Sequence, residues 1–251
     1  MVVGLVGSGN MATALARGWD EPVLCTDVVP ERAQALAAAT RGEPVASNAE
    51  LAERADLVML CHKPYQLDEV AEQIGGRAKA VASILAGVPL SALEAAYPDT
   101  PVMRLMPNTA VAVNRGVVCY AAGTQMRDPL AAELLDLLGR SGRVLAVEER
   151  LMDVAMALIS VAPAYMALVA EAWIDAGVAH GMPAEQAAQM VAEAIAGSAD
   201  LLLANDVDTL ATRRAVTTPG GVTAQGLAAL ERGGIRAAFR EALDAVVGHG
   251  H

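Results

Sequence analysis

Short apolar runs alternate with longer segments of helical spacing over residues 1–147. Residues 2–6 form a five-residue run of strand type that Gly7 ends, and residues 11–18 then read as a helix. Residues 23–26 are a second short strand. Residues 30–39 follow as a helix, with Pro30 suited to its first turn. The run at 57–61 is apolar throughout, the pattern of a strand covered on both faces. Residues 81–85 and 102–105 repeat the strand pattern, interrupted by Ser83 and Arg104, and 117–120 and 144–147 read as later strands. Strands alternating with helices predict an α/β fold with a mostly parallel, doubly wound sheet.

The pattern changes near Glu148. Residues 152–159, 164–177, 183–203, 209–216, 227–230 and 235–247 read as helices, with no strand signal between 148 and 203. Gly177 is placed in a C-cap region, 217–222 in a loop around Pro219-Gly220-Gly221, and the tail 248–251 is expected to fray. The expected organisation is a Rossmann-type dinucleotide-binding domain over 1–148 and an all-helical domain over 149–251. In the helix at 164–176, Tyr165, Leu168, Val169, Ala172 and Trp173 spread apolar surface over more than one face. Such a helix must be covered from several sides, so packing against a second copy of the chain is expected.

Composition narrows the function. Of 251 residues, 54% are hydrophobic and 19% charged, which suits a packed globular chain. A net charge of −11 disfavours binding to nucleic acid or to an anionic membrane. Cys25, Cys61 and Cys119 form no CxxC pair, and His62, His180, His249 and His251 share no ligand spacing, so no metal site is expected. The opening MVVGLVGSGN lacks a basic n-region. The uncharged run between Asp153 and Glu171 is slightly short for a membrane span and contains Pro163. A soluble cytoplasmic protein is the expectation.

The strongest chemical signal opens the chain. Gly7-Ser8-Gly9-Asn10-Met11-Ala12 matches G-x-G-x-x-G/A directly after a strand and at the start of a helix. Gly7 permits the tight turn, Gly9 lets the backbone approach a pyrophosphate, and Ala12 keeps helix and strand close. The helix N-terminus offers unpaired N–H groups to phosphates. Asp27, twenty positions after Gly7, is placed to accept hydrogen bonds from the adenosine ribose. A carboxylate there repels a 2′-phosphate and favours NADH over NADPH, although Arg32 could offset it.

Further segments complete a pattern: Cys61-His62-Lys63-Pro64, Ser83-Ile84-Leu85-Ala86-Gly87, Arg104-Leu105-Met106-Pro107-Asn108-Thr109, Asp175-Ala176-Gly177-Val178 and Thr218-Pro219-Gly220-Gly221-Val222-Thr223. In this order and spacing the chain resembles the pyrroline-5-carboxylate reductase family, from Gly4 to about Phe239. The resemblance implies NAD(P)H-dependent reduction of a cyclic imino acid to L-proline by a homodimer or higher oligomer. It implies cofactor contacts by Gly7, Gly9, Asn10, Met11 and Asp27, with Asn48 at the adenosine end. Lys63, Pro64, Ala86, Gly87, Met106 and Asn108 would lie toward the nicotinamide. Thr218, Gly220, Gly221 and Thr223 would grip the substrate, with Thr223 as the catalytic hydroxyl at the imine nitrogen.

The chain also departs from that pattern. Ile159-Ser160-Val161-Ala162-Pro163-Ala164 stands where the family has Ser-Gly-Ser-Gly-Pro-Ala. Glu193-Ala194 replaces a Gln-Thr pair, and Ala215 an Asn. Three explanations stay open: a substituted pyrroline or other cyclic imine as substrate, a weak or silent enzyme (in the extreme a non-catalytic dinucleotide-binding sensor), or tolerated drift. A hydroxyacid dehydrogenase is disfavoured, because residues 151–208 contain no lysine. Lys63 as general acid is outweighed by an electrostatic role beside the dinucleotide, and Glu171 with Asp175 as a carboxylate pair and Tyr165 as proton donor are each outweighed by a structural reading.

Overall fold

The computed structural model describes residues 1–247. The chain divides into two compact units, Met1–Val161 and a second beginning at Ala162. The first carries eight strands: β1 (Val3–Val6), β2 (Val23–Thr26), β3 (Glu43–Pro44), β4 (Leu57–Leu60), β5 (Val81–Ser83), β6 (Val102–Pro107), β7 (Gly116–Ala122) and β8 (Gly142–Ala146). They form one sheet in the order β3-β2-β1-β4-β5-β6-β7-β8, parallel except for the antiparallel pair β6–β7. Seven helices accompany them: α1 (Asn10–Trp19), α2 (Pro30–Thr40), α3 (Asn48–Arg54), α4 (Leu67–Ile74), α5 (Leu90–Ala96), α6 (Leu130–Gly139) and α7 (Met152–Ile159).

Alternation along the strands builds a core on each side of the sheet. In β4, Leu57 and Met59 join one buried cluster with Leu15, Trp19, Leu36 and Leu134. Val58 and Leu60 join the opposite one with Leu51, Val70, Ile74 and Leu93. This two-sided burial is why the run reads as continuously apolar. A third cluster of Met106, Cys119, Ala121, Met152 and Ala155 seats α7 on β6 and β7.

The second unit is helical: α8 (Ala162–Ala179), α9 (Ala184–Ala204), α10 (Thr209–Ala215), α11 (Val222–Arg232) and α12 (Ile235–Val247). α8 and α9 pack together, with Ala187 and Val191 buried between their neighbours. None of the residues of α8 is buried within the chain. The helical stretch Glu149–Ala179 and the helix Ala184–Ala204 are long and apolar enough to cross a bilayer by length and composition. The same composition suits a helix that protein covers on several sides.

Several expectations need correction. The strand at 81–85 stops at Ser83, whose Oγ accepts a hydrogen bond from the Leu85 N–H at 3.2 Å and turns the chain. The helix expected at 227–230 runs over all of Val222–Arg232. Gly177 lies inside α8 rather than at its cap. Its carbonyl accepts from the Met182 N–H beyond the helix end. β3 went unpredicted because two exposed residues, Glu43 and Pro44, carry no apolar pattern. They join the sheet only by pairing with Leu24 and Cys25. The expected fraying of 248–251 lies outside the described residues.

Candidate dinucleotide site

β1, β2 and β4 pair in level register, with Val6 opposite both Thr26 and Leu60. Their carboxyl ends therefore finish side by side. β1 has β2 on one flank and β4 on the other, so the strand order reverses there. Such a switch point leaves a crevice that a ligand can enter.

Gly7 turns out of β1 with φ +101°. A Cβ at that position would stand 2.7–2.8 Å from the backbone of Cys61 and His62. Only glycine lets the loop after β1 pass the loop after β4 this closely. Gly9 is the N-cap of α1 and supplies no side-chain cap; the first turn of α1 holds no acidic residue. A Cβ at Gly9 would meet nothing within 4 Å. Unspent N–H groups thus face open space at a helix N-terminus, an arrangement that fits a phosphate.

Asp27 follows β2 and is held from both sides. Its Oδ2 accepts from the Ser8 N–H at 2.8 Å and its Oδ1 from the Val29 N–H at 2.9 Å. The carboxylate is thereby fixed to the glycine loop. Thr26 Oγ1 donates to Asn48 Oδ1 at 2.6 Å, Asn48 Nδ2 donates to Gln73 Oε1 at 2.6 Å, and Gln73 Nε2 donates to Glu69 Oε1 at 3.1 Å. This chain of bonds runs from β2 across α3 to α4. Asn48 starts α3, whose N-cap Ser47 accepts from the Glu50 N–H.

These groups line one cavity of about 570 Å³. Of the expected residues it contains Gly7, Gly9, Asp27, Asn48 and Lys63. Asn10 and Met11 form the first turn of α1 beside it, and Pro64 begins the short 3-10 turn Pro64–Gln66. Ala86 and Gly87 lie in the loop between β5 and α5 and do not line the cavity. Met106 and Asn108 are buried at the end of β6. Met106 packs beneath α7. Asn108 donates through Nδ2 to the Ile159 carbonyl at 3.2 Å and accepts through Oδ1 from the Val117 N–H at 3.0 Å.

The cavity also takes residues given no site role from the sequence, among them Val28, Val45, His62, Gln66, Glu69 and Gln73. Positions 66, 69, 70 and 73 share the spacing of one helix face, a periodic signal that could have found them. Burial holds the His62 imidazole below its usual pKa and raises the thiol pKa of Cys61 beside it. His62 is therefore neutral at pH 7 and adds no charge to the cavity.

In the second unit, the Gly221 N–H bonds the Thr218 carbonyl at 3.0 Å to close the turn before α11. Gly220 takes φ +72°, which a side chain would resist. Gly221 is the N-cap of α11 without a side-chain cap. A Cβ on it would sit 2.3 Å from Thr218 Oγ1. Thr223 stands in the first turn of α11, where free N–H groups and a hydroxyl come together.

Known proteins resemble the chain over nearly its whole length. The model described as pyrroline-5-carboxylate reductase dimerisation matches residues 149–250. One described as NADP oxidoreductase coenzyme F420-dependent matches residues 2–87. A pyrroline-5-carboxylate reductase of Synechocystis is 33% identical over 252 residues, covering 97% of this chain and 94% of the relative. Pyrroline-5-carboxylate reductase 2 of Homo sapiens is 34% identical over 260 residues, covering 98% and 81%. Among solved structures, a pyrroline-5-carboxylate reductase from Coxiella burnetii superimposes with a TM-score of 0.91 at 26% identity, covering 99% of this chain and 96% of that one. A Plasmodium falciparum pyrroline carboxylate reductase with NADP bound gives 0.87 at 26% identity, covering 100% and 97%.

Proposed function

The chain belongs to the pyrroline-5-carboxylate reductase family, and we propose that it reduces 1-pyrroline-5-carboxylate to L-proline in the cytoplasm, using NADH in preference to NADPH. The observation that carries the coenzyme preference is the doubly held carboxylate of Asp27. A fixed negative charge at the ribose accepts hydrogen bonds from hydroxyls and repels a 2′-phosphate. The hydride is the chemistry that the nicotinamide supplies when bound; the protein provides binding and orientation.

The residue roles follow from what each group can do. Gly7, Gly9, Asn10 and Met11 present the turn and the α1 N–H groups to the pyrophosphate. Asp27 and Asn48 take the adenosine end. Lys63 and Pro64 continue toward the nicotinamide, where Ala86 and Gly87 form the neighbouring loop. Met106 and Asn108 shape that end through packing, since both ends of the Asn108 side chain are already bonded to protein. Thr218 and the backbone of Gly220 and Gly221 hold the substrate carboxylate through the turn before α11. The Thr223 hydroxyl accepts a hydrogen bond from the protonated ring nitrogen, which keeps its proton and leaves the adjacent ring carbon electrophilic.

A second reading is favoured by one feature. Ile159 and Val161 place apolar groups where the family has small hydroxylated ones, which suits a bulkier or less polar ring. Oxidation of NADH and NADPH by purified protein, followed at 340 nm with pyrroline-5-carboxylate and a panel of cyclic imines, tests both. The expected result is turnover with pyrroline-5-carboxylate and a kcat/KM about tenfold or more higher with NADH, roughly 1.4 kcal/mol of discrimination. Turnover only with substituted rings selects the second reading. NADH binding without turnover of any imine overturns both in favour of a dinucleotide-binding sensor.

A further inference from the structure

A charged cluster lies away from the dinucleotide cavity, under the start of α7. Arg104 sits in the middle of β6, paired in register with Ser83 of β5 and Ala121 of β7. Its side chain is only 5% exposed. Nη1 meets Glu149 Oε1 at 2.6 Å and Nη2 meets Asp153 Oδ1 at 3.4 Å. The same Glu149 Oε1 accepts from the Leu90 N–H at 2.8 Å. Leu90 is the first residue of α5 and ends the loop that contains Ala86 and Gly87. β6 and the start of α7 therefore meet on one guanidinium, and the β5–α5 loop joins them through Glu149.

Stability alone does not account for this cluster. Burying a guanidinium and a carboxylate has a desolvation cost, and an apolar pair of similar volume often serves as well or better. Here the pairing is also incomplete, since Arg104 Nε and Glu149 Oε2 are buried without hydrogen-bond partners. What an apolar pair cannot reproduce is direction. The planar fork of Arg104 fixes two carboxylates at set angles, and Glu149 passes that position on to the Leu90 amide.

We propose that Arg104, Glu149 and Asp153 are positioning residues for the reduction step, holding the 84–90 loop and α7 at a fixed place on the sheet. The inference rests on the reductase reading, in which that loop approaches the nicotinamide. Ser83 Oγ, bonded to the Leu85 N–H, anchors the other end of the loop. The loop is thus tied at both ends, once to the end of β5 and once through Glu149 to β6.

The test compares wild type with R104K, R104M and the double variant R104M/E149L, the last replacing the ion pair by an apolar one that keeps the fold. Three readouts are taken: hydrogen exchange of the apo protein, NADH dissociation constant, and steady-state kinetics. For the double variant the expected result is an unchanged or higher Tm, lost protection at the Leu90 amide and through 84–90, and kcat lower by about tenfold or more. The NADH dissociation constant changes less than kcat, because the cavity groups Gly7, Gly9, Asp27 and Asn48 lie outside 84–90. R104K, which offers one point charge instead of a fork, restores part of kcat. Wild-type kcat and wild-type exchange in the double variant would overturn the proposal. If the wild type itself reduces no imine, the reductase reading fails on its own, and unaltered exchange at Leu90 still decides against the cluster.

Discussion

Gly7 and Gly9 stand two positions apart and fail in different ways when given a side chain. Gly7→Ala forces a Cβ into the Cys61–His62 backbone from a left-handed φ. It should destabilise the protein by about 1–3 kcal/mol as well as weaken NADH binding. Gly9→Ala places its methyl in open space at an extended φ of −76°. It should leave Tm unchanged while raising the NADH dissociation constant by about tenfold or more, because the methyl occupies the approach of the pyrophosphate. Thermal melts and a fluorescence titration separate the two outcomes. Equal loss of stability in both variants would show that Gly9 is a folding residue only. His62 supplies a pH test at the same loop. Its pKa is depressed by burial, so below about pH 6.5 the unfolded chain binds a proton that the native chain refuses. The contribution of His62 should fall as pH drops below about 6.5 and level once the folded imidazole is protonated as well. The lowered carboxylates, such as Glu21, Glu43 and Glu94, add their own loss once pH falls through about 5 toward 4.5 and below. His62→Gln should flatten the slope in urea unfolding between pH 5 and 6.5. A retained slope would assign it to another group.

At the scale of elements, α7 shows why a boundary is hard to read from sequence. It follows the last strand and looks helical like everything after it, yet its partners are β6 and β7. Its carboxyl end is tied by Asn108 to the Ile159 carbonyl, and the same side chain satisfies the Val117 N–H. Asn108→Ala removes both bonds and should cost about 1–3 kcal/mol. Native-state exchange should show the loss concentrated in 152–159 and at Val117; a uniform loss would argue against a local clamp. The buried strands, unlike exposed β3, were legible because their constraint is local: β4 must be apolar at every position when both faces are covered. The glycine loop and Asp27 were legible because turn, helix start and carboxylate follow one another within a single β-α-β unit. The α4 wall of the cavity was missed although its spacing was available. α3 was missed although Ser47 and Glu50 write a capping signal three residues apart. The Arg104–Glu149 bond was beyond reach, since its ends lie 45 residues apart and neither carries a pattern of its own.

For the whole molecule, the helical unit sets the assembly. Leu168, Trp173, Met190 and Leu203 are exposed in the single chain, Trp173 by 54%. α8 and α9 leave a groove of about 600 Å³ lined by Trp173, Gly177, Met182 and Met190. A homo-oligomer explains why these positions are apolar, and the family model over 149–250 is a dimerisation model. Electrostatics oppose that association. Residues 162–247 carry ten acidic side chains against five basic ones, and the whole chain has a net charge of −11. Two copies brought together repel, while their apolar faces attract. Salt screens the first effect and leaves the second intact, so the oligomer should tighten as ionic strength rises from about 0.01 to 0.5 M. An interface held by salt bridges would loosen instead. Sedimentation across that range should show a species of at least twice the chain mass at micromolar concentration, with Tm rising with protein concentration. Leu168→Glu adds a charge to a face that a stable dimer must bury, at roughly 800 Å² per partner. It should shift the protein toward monomer and abolish the concentration dependence of Tm. A monomeric wild type at every salt concentration would leave the apolar surface of α8 to a partner other than its own kind.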